Sequence, residues 1–265
     1  MDFNIESNMI DLENVGNKAF GKSLNSTYLN EDVKIPLPPL DIQAQIVSEC
    51  KKVDEEYNDS RMSIEEYKEK IAEVTNAVKG EIKRLGDVCD INSGGTPSKK
   101  IVSYWSNGTI PWVKSEVCKG DFVYSTNEFI TEEGLNHSSA KMFPEGTTLI
   151  ALVGATKGKT AFLKFETTTN QNIAGLRVNN KNELNELFLF YMCRSSYNVF
   201  VKDLQQYDIL NLSNIKNIHI PIPSLAEQQH IVSEIESYEA EIAKAKAVME
   251  GCAERKKQIL EKYLQ

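Results

Sequence analysis

Paired cysteines are missing from this chain. Its five thiols, Cys50, Cys89, Cys118, Cys193 and Cys252, are scattered with no C-x-x-C spacing. An odd, unspaced set excludes a disulfide framework and suits the reduced thiols of a cytoplasmic protein. Histidine is scarcer: His137, His219 and His230 lie far apart, so no zinc-ligand spacing is present and no metal site is expected. No apolar run approaches the roughly 18 residues of a membrane span. The opening Met1-Asp2-Phe3-Asn4-Ile5-Glu6 is too acidic and polar for a signal peptide.

Signatures of catalysis are equally sparse. The Asn/Asp-Pro-Pro-aromatic run of amino-methyltransferases is absent, as is a G-x-G-x-x-G after a strand. No serine or cysteine has a histidine at a recognisable family spacing. Gly154-Ala155-Thr156-Lys157-Gly158-Lys159-Thr160 is one residue short of a phosphate-binding G-x-x-x-x-G-K-[ST] loop. The strand-like Ala161-Phe162-Leu163 follows where that loop needs a helix to aim its amides and dipole at phosphate. Carboxylates are scattered throughout, so an acidic nuclease signature is neither marked out nor excluded by the sequence. The chain is expected to bind and read rather than to catalyse, with no catalytic residue and no cofactor of its own.

What is present is a long-range repeat. Ile35-Pro36-Leu37-Pro38-Pro39-Leu40, followed by 41–49, returns as Ile220-Pro221-Ile222-Pro223-Ser224-Leu225, followed by 226–234. The period is too long for a solenoid, whose units run about 20–50 residues. Each copy leads into a charged segment with heptad stepping. In the first, Ile46, Cys50, Val53, Tyr57, Ser60, Ile64, Tyr67, Ile71, Val74 and Val78 step by four and three. In the second, Ile231, Ile235, Tyr238, Ile242, Ala245, Met249, Cys252, Lys256, Ile259 and Tyr263 do the same, with Lys256 as the misfit. Helices over about 40–79 and from 225 onward, each roughly 60 Å long at about 1.5 Å per residue, are predicted to pack antiparallel. Packing of each against a second chain is the alternative.

Between them the pattern changes. Thr147–Val153, Thr160–Phe165 and Ala174–Val178 read as strands, and Glu183–Phe200 as a helix with Leu184, Leu187, Phe188, Tyr191 and Met192 on one side. The expected fold class is therefore α+β, one mixed domain flanked by two long helices in an antiparallel coiled coil. Its divisions are 1–34, an arm or remnant; 35–80, the first helical region; 81–219, the mixed domain; and 220–265, the second helical region.

The formal charge of −8 is unevenly placed. Residues 81–223 carry 15 basic and 14 acidic side chains, whereas the remainder carries 15 and 24. The middle domain is thus free to present a basic face, whatever the whole-chain charge. Gly94, Gly95, Thr96, Pro97 and Ser98 form a glycine-rich turn, and Lys99, Lys100, Lys114, Lys157, Lys159 and Lys164 are candidate phosphate contacts. Asn170 and Gln171, with Asn172, offer amides of the type that pair with adenine. Trp105 and Trp112 are read as packing residues rather than base stackers.

These motifs, in order, resemble a known family. Leu85-Gly86-Asp87-Val88, Gly94-Gly95-Thr96-Pro97-Ser98, Tyr104-Trp105 and Ile110-Pro111-Trp112 are similar to the start of a target recognition domain in specificity subunits of type I restriction-modification enzymes. Ile130-Thr131, Ser138-Ser139, Gly154-Ala155-Thr156, Gly158-Lys159, Asn170-Gln171, Asn211-Leu212-Ser213, the second Pro repeat and Glu227-Gln228-Gln229 continue it. The resemblance implies a reader of double-stranded DNA whose recognition domains each take one half of a bipartite target. It implies methyltransferase subunits as partners, carrying S-adenosylmethionine, and restriction subunits as further ones. A full subunit of that family has two recognition domains joined by two conserved helices; only one stands in these 265 residues. A homodimer is therefore expected. The seam residues Ile46, Val53, Tyr57, Ile64, Tyr67, Ile71, Ile231, Ile235, Tyr238, Ile242, Met249 and Ile259 are expected to form the coiled-coil interface. A stand-alone DNA-binding regulator or decoy, and a coiled-coil adapter without DNA readout, are the competing readings.

Overall fold

The structure, a computed structural model, describes residues 37–195 and 210–264. The expected arm over 1–34, the first residues of the first repeat, and 196–200 of the helix expected at 183–200 lie outside these. Helix α1 spans Leu40–Asn76 and opens directly behind the prolines, which fix an extended approach. The chain divides into two units, one of residues 37–66 with 240–264 and the other of 67–195 with 210–239.

The first unit consists of parts of α1 and of the last helix, α6 (Leu225–Leu264). Cys252 lies against Val53, Arg255 pairs with Glu56, Lys256 with Asp54, and Lys262 and Tyr263 both reach Glu49. Numbers fall along one helix as they rise along the other, so the packing is antiparallel. Val53, Ile64, Ile242 and Cys252 are buried, while Ile46, Met249 and Ile259 are half-buried. Lys256 is tolerated at the seam because it is only half-buried and its ammonium reaches Asp54. Tyr57 departs from the heptad expectation: it is 40% exposed. The buried side chains on either side of it, Val53 and Ile64, are eleven residues apart, a period close to that of a straight helix, which carries Tyr57 toward the seam's edge.

In the second unit Tyr67 and Tyr238 stack at 5.9 Å, and Ile71, Ile231 and Ile235 are buried. Strand β1 (Glu81–Arg84) pairs antiparallel with the Ile-Pro-Ile segment of the second repeat, β11 (His219–Ile222), with Ile82 opposite Pro221. A two-stranded ribbon leaves an outer edge where a proline without an N–H costs nothing. Gly80 precedes β1 because a Cβ there would lie 2.4 Å from the Ile222 backbone.

Between these strands come α2 (Leu85–Val88), β2 (Cys89–Ser93), β3 (Ile110–Val113), β4 (Phe122–Val123), β5 (Phe129–Ile130), α3 (Glu132–Asn136) and β6 (Met142–Phe143). Then follow β7 (Thr148–Ala151), β8 (Thr160–Leu163), β9 (Thr167–Thr169), β10 (Ile173–Val178), α4 (Glu186–Ser195) and α5 (Leu212–Lys216). One sheet has the order β2-β10-β7-β8-β4, antiparallel except for β8 with β4. A second has the order β5-β3-β9-β6, with β3 and β9 parallel. Val113, Phe143, Leu149, Ala161, Leu163 and Ile173 form a shared core. Phe143 packs where Gly175 has no side chain; a Cβ there would meet its ring at 2.4 Å.

Helix α4 differs from the one-sided helix its spacing suggests. Phe188 to Cys193 are six consecutive buried residues, so it is covered nearly all round. It starts at Glu186 because the Asn185 side chain accepts hydrogen bonds from the amides of Leu187 and Phe188, at 2.9 and 3.0 Å. Two polar latches hold this region to α6. Gln228, fully buried, donates to the carbonyls of Glu183 and Pro223 and accepts from the Asn185 amide at 2.7 Å. Arg194 pairs with Glu239 and donates to the Gly120 carbonyl. Gln228, Val232 and Glu239 make one stripe along α6, turned from the heptad seam that holds Ile231 and Ile235.

Candidate nucleic-acid interface

The glycine-rich turn leaves β2 and immediately meets the β9–β10 connection. Gly95 donates its amide to the Thr169 carbonyl at 2.8 Å, and a Cβ on Gly94 would sit 2.1 Å from that same oxygen. Glycine is required here for close backbone approach. A Cβ on Gly95 would lie 2.2 Å from the Ser139 hydroxyl, which brings a third segment alongside. The Thr96 hydroxyl donates to Gln171 Oε1 at 2.6 Å. Thr96 is half-buried, Pro97 buried, and Ser98, Lys99 and Lys100 are exposed.

The 154–159 loop joins the same region through the backbone. The Leu152 amide donates to the Asn172 carbonyl at 2.8 Å. The Gly158 amide donates to the Ala151 carbonyl and the Ala151 amide to the Lys159 carbonyl, at 2.8 and 3.0 Å. Gly154 and Gly158 have φ of 76° and 78°, a left-handed conformation that glycine tolerates. Lys159 is exposed and Lys157 half-buried. The chain continues as β8, so the partial phosphate-loop pattern closes a β-hairpin and has no helix behind it.

Lys114 follows β3, whose Val113 carbonyl accepts from the Asn170 amide at 3.0 Å. The Lys114 ammonium pairs with Glu128, which raises its pKa, and lies 5.7 Å from the Trp112 ring. Hydrogen bonds and adjacent backbone thus gather Gly94, Gly95, Thr96, Lys114, Asn170 and Gln171 on one side of the domain, with the Lys157–Lys159 loop beside them. Asn170 is not an open amide. It is 8% exposed and its Oδ1 accepts from the Asn172 amide at 3.1 Å; a short asparagine at a turn bonds its own backbone. Gln171 is the exposed member of the pair. Lys164 lies over Phe122 and Phe162, at 4.7 and 5.2 Å, among aromatics rather than at these loops.

Both tryptophans pack. Trp112 is 2% exposed and donates its indole N–H to the Gly95 carbonyl at 3.0 Å. Trp105 meets it edge-on at 5.1 Å and donates to the Ser98 carbonyl. Together they brace the glycine-rich turn from below. Lys141, not among the lysines singled out from the sequence, is exposed beside Ser138-Ser139 and reaches the Asn92 side chain at 3.0 Å. Burial pushes the Cys89 and Cys118 thiols up to about 12, which leaves them inert at neutral pH. Among the described residues, no group of three or more His, Cys, Asp or Glu side chains is placed to hold a metal, and no helix is long and apolar enough to cross a membrane.

The class that these features define is a mixed-sheet domain with braced, glycine-held loops, carried in a chain with long paired helices. Residues 78–248 match the type I restriction modification DNA specificity domain, and the chain belongs to that family. It is 27% identical over 207 residues to the EcoR124I/EcoR124II specificity subunit of Escherichia coli, covering 75% of this chain and 48% of that protein. With the MjaIX specificity subunit of Methanocaldococcus jannaschii it shares 30% identity over 160 residues, 58% of this chain and 36% of that one. Among solved structures it is similar to the HsdS subunit from Thermoanaerobacter tengcongensis, with a TM-score of 0.61 and 23% identity. That match covers 97% of this chain and 66% of the other. The chain spans about half the length of the first of these curated relatives.

Proposed function

We propose that this chain is the non-catalytic DNA-reading subunit of a type I restriction-modification complex. Its recognition domain takes one half of a bipartite double-stranded target. Its helices serve as the platform for methyltransferase subunits, which carry the S-adenosylmethionine, and for restriction subunits. The supporting observation is the convergence of the Gly94–Lys100 turn, the Asn170–Asn172 turn and the Lys157–Lys159 loop on a rigid double-tryptophan base. Lysines of this kind contact phosphate and set register, while side chains between them meet base edges.

One recognition domain reads one half-site, so two copies with a domain at each end would read an inverted repeat. Family membership and the relatives' names support the DNA role; the single domain between two matched helices supports the dimer. The complex is expected to form in the cytoplasm, in keeping with the reduced thiols. Methylome sequencing of cells expressing the chain with its methyltransferase tests the whole reading. A bipartite, symmetric modified motif is expected. Equal affinity for all duplexes at physiological salt, in the presence of the methyltransferase, would overturn it. A monomeric mass by light scattering, with one copy per methyltransferase complex, would overturn the dimer alone.

A further inference from the structure

Immediately after Lys99 and Lys100 the surface becomes apolar. Ile101 is 40% exposed and Val102 is 70% exposed, at the start of a single turn of 3-10 helix over Val102–Tyr104. An exposed valine alone is unremarkable on a protein surface. This pair differs in how firmly it is held. The Ile101 amide donates to Ser98, Tyr104 to Ile101, and Trp105 and Ser106 to Val102, at 2.9 to 3.2 Å. Thr131 closes the turn from the far side: its amide donates to the Tyr104 carbonyl and its hydroxyl to that of Ser103, both at 2.9 Å. Trp105 then links the turn through Ser98 to the Trp112–Gly95 brace.

The result is a stiff, β-branched tip that follows two exposed lysines in the chain, the Lys99 ammonium lying 5.6 Å from the Trp105 ring. Such a tip loses little side-chain freedom on binding, because branching at Cβ already restricts χ1. The neighbouring ammonium groups favour an anionic partner, and Val102 has no polar atom with which to read a donor or acceptor. The apolar feature that a base edge offers in the major groove is the thymine 5-methyl group. Resting on the DNA-reading function above, we propose that Val102, supported by Ile101, is a specificity-determining residue that recognises a thymine methyl in the half-site, with Lys99 and Lys100 on the flanking phosphates.

The test uses the full chain assembled with its methyltransferase subunits and the duplex defined by its methylome. Each thymine of the half-site is replaced in turn by uracil, which removes the methyl alone, and Kd is measured for the wild type and for Val102→Ala. One position is expected to lose about fourfold in the wild type, the factor that one buried methyl group is worth. Val102→Ala should lose a similar factor on the thymine duplex and show no further loss on the uracil one, with an unchanged melting temperature. No sensitive position, equal thymine-to-uracil discrimination in Val102→Ala, or a half-site without an A·T pair would each overturn the proposal. So would a wedge role, in which uracil has no effect and Val102→Ala instead reduces the bend of the bound duplex. A complex that binds every duplex equally fails the DNA-reading function itself and is thereby distinguished from these outcomes.

Discussion

Gln228 shows what a single side chain contributes when it is buried without charge. Its amide nitrogen bonds two carbonyls, its oxygen bonds one amide, and no part of it touches water. Removing the amide leaves the Asn185 N–H and the Glu183 and Pro223 carbonyls without that partner, and an unsatisfied buried polar group costs about 1–3 kcal/mol. Gln228→Leu should lower the unfolding free energy by about that amount in urea titration; an unchanged midpoint would show that water replaces it at no cost. Its counterpart in the first repeat, Gln43, makes the equivalent bond to the Pro38 carbonyl at 2.7 Å, against 2.9 Å for Gln228 to Pro223. The repeated Gln is therefore a local lock on the chain as it turns from prolines into helix. From sequence the two glutamines were visible as identical positions of a repeat; that one of them also seats a folded domain was not, because its other partners lie 43 and 45 residues away.

At the scale of elements, the helix pair is the most legible part of the protein, and its carboxylate pairs predict a response to pH. Glu49 is held below the ordinary carboxylate range by hydrogen bonds from Tyr263 and Lys262, and Glu56 by the Arg255 guanidinium. A depressed folded pKa contributes stability that is present above the unfolded value, about 4.3 for glutamate, and is lost as pH falls through the lowered folded value. Helix pairing should therefore weaken from about pH 4 downward. Circular dichroism melts should show Glu49→Gln and Glu56→Gln less sensitive to acid than the wild type; equal sensitivity would assign the response to other carboxylates. Within α6, a Cβ added at Gly251 would meet nothing within 4 Å, and the residue has no positive φ. Glycine inside a helix costs roughly 0.5–1 kcal/mol relative to alanine, so Gly251→Ala should raise the melting temperature. A fall instead would reveal that a partner packs closely at that point.

For the whole molecule, the acidic total charge is compatible with the proposed DNA-binding role, because residues 81–223 carry 15 basic and 14 acidic side chains. Phosphate contacts release counterions, and their number is read from the salt dependence of binding. Replacing Lys157 and Lys159 together by alanine should weaken binding to all sequences alike and reduce the slope of log K against log salt by about 2. A change in base preference with an unchanged slope would instead make this loop a base reader.

Periodicity determined the helices, their antiparallel pairing and most of their buried positions, because a seam of regularly spaced apolar side chains can be buried in few ways. It missed the second stripe on α6, through Gln228, Val232 and Glu239, since a contact with a sheet domain imposes no heptad. The strands at 148–151, 160–163 and 173–178 were legible from β-branched runs, but their order was not: strand pairing is long-range, and β2 finds β10 some eighty residues on. Composition likewise marked the glycines, amides and lysines proposed for the reading face. Tertiary structure alone decided which of them are available, burying Asn170 in its own turn, drawing Lys114 to Glu128 and Lys164 onto aromatic rings, and leaving Val102 in water. A residue type states what a side chain is able to bond; only the folded backbone determines whether a neighbour has already taken that bond.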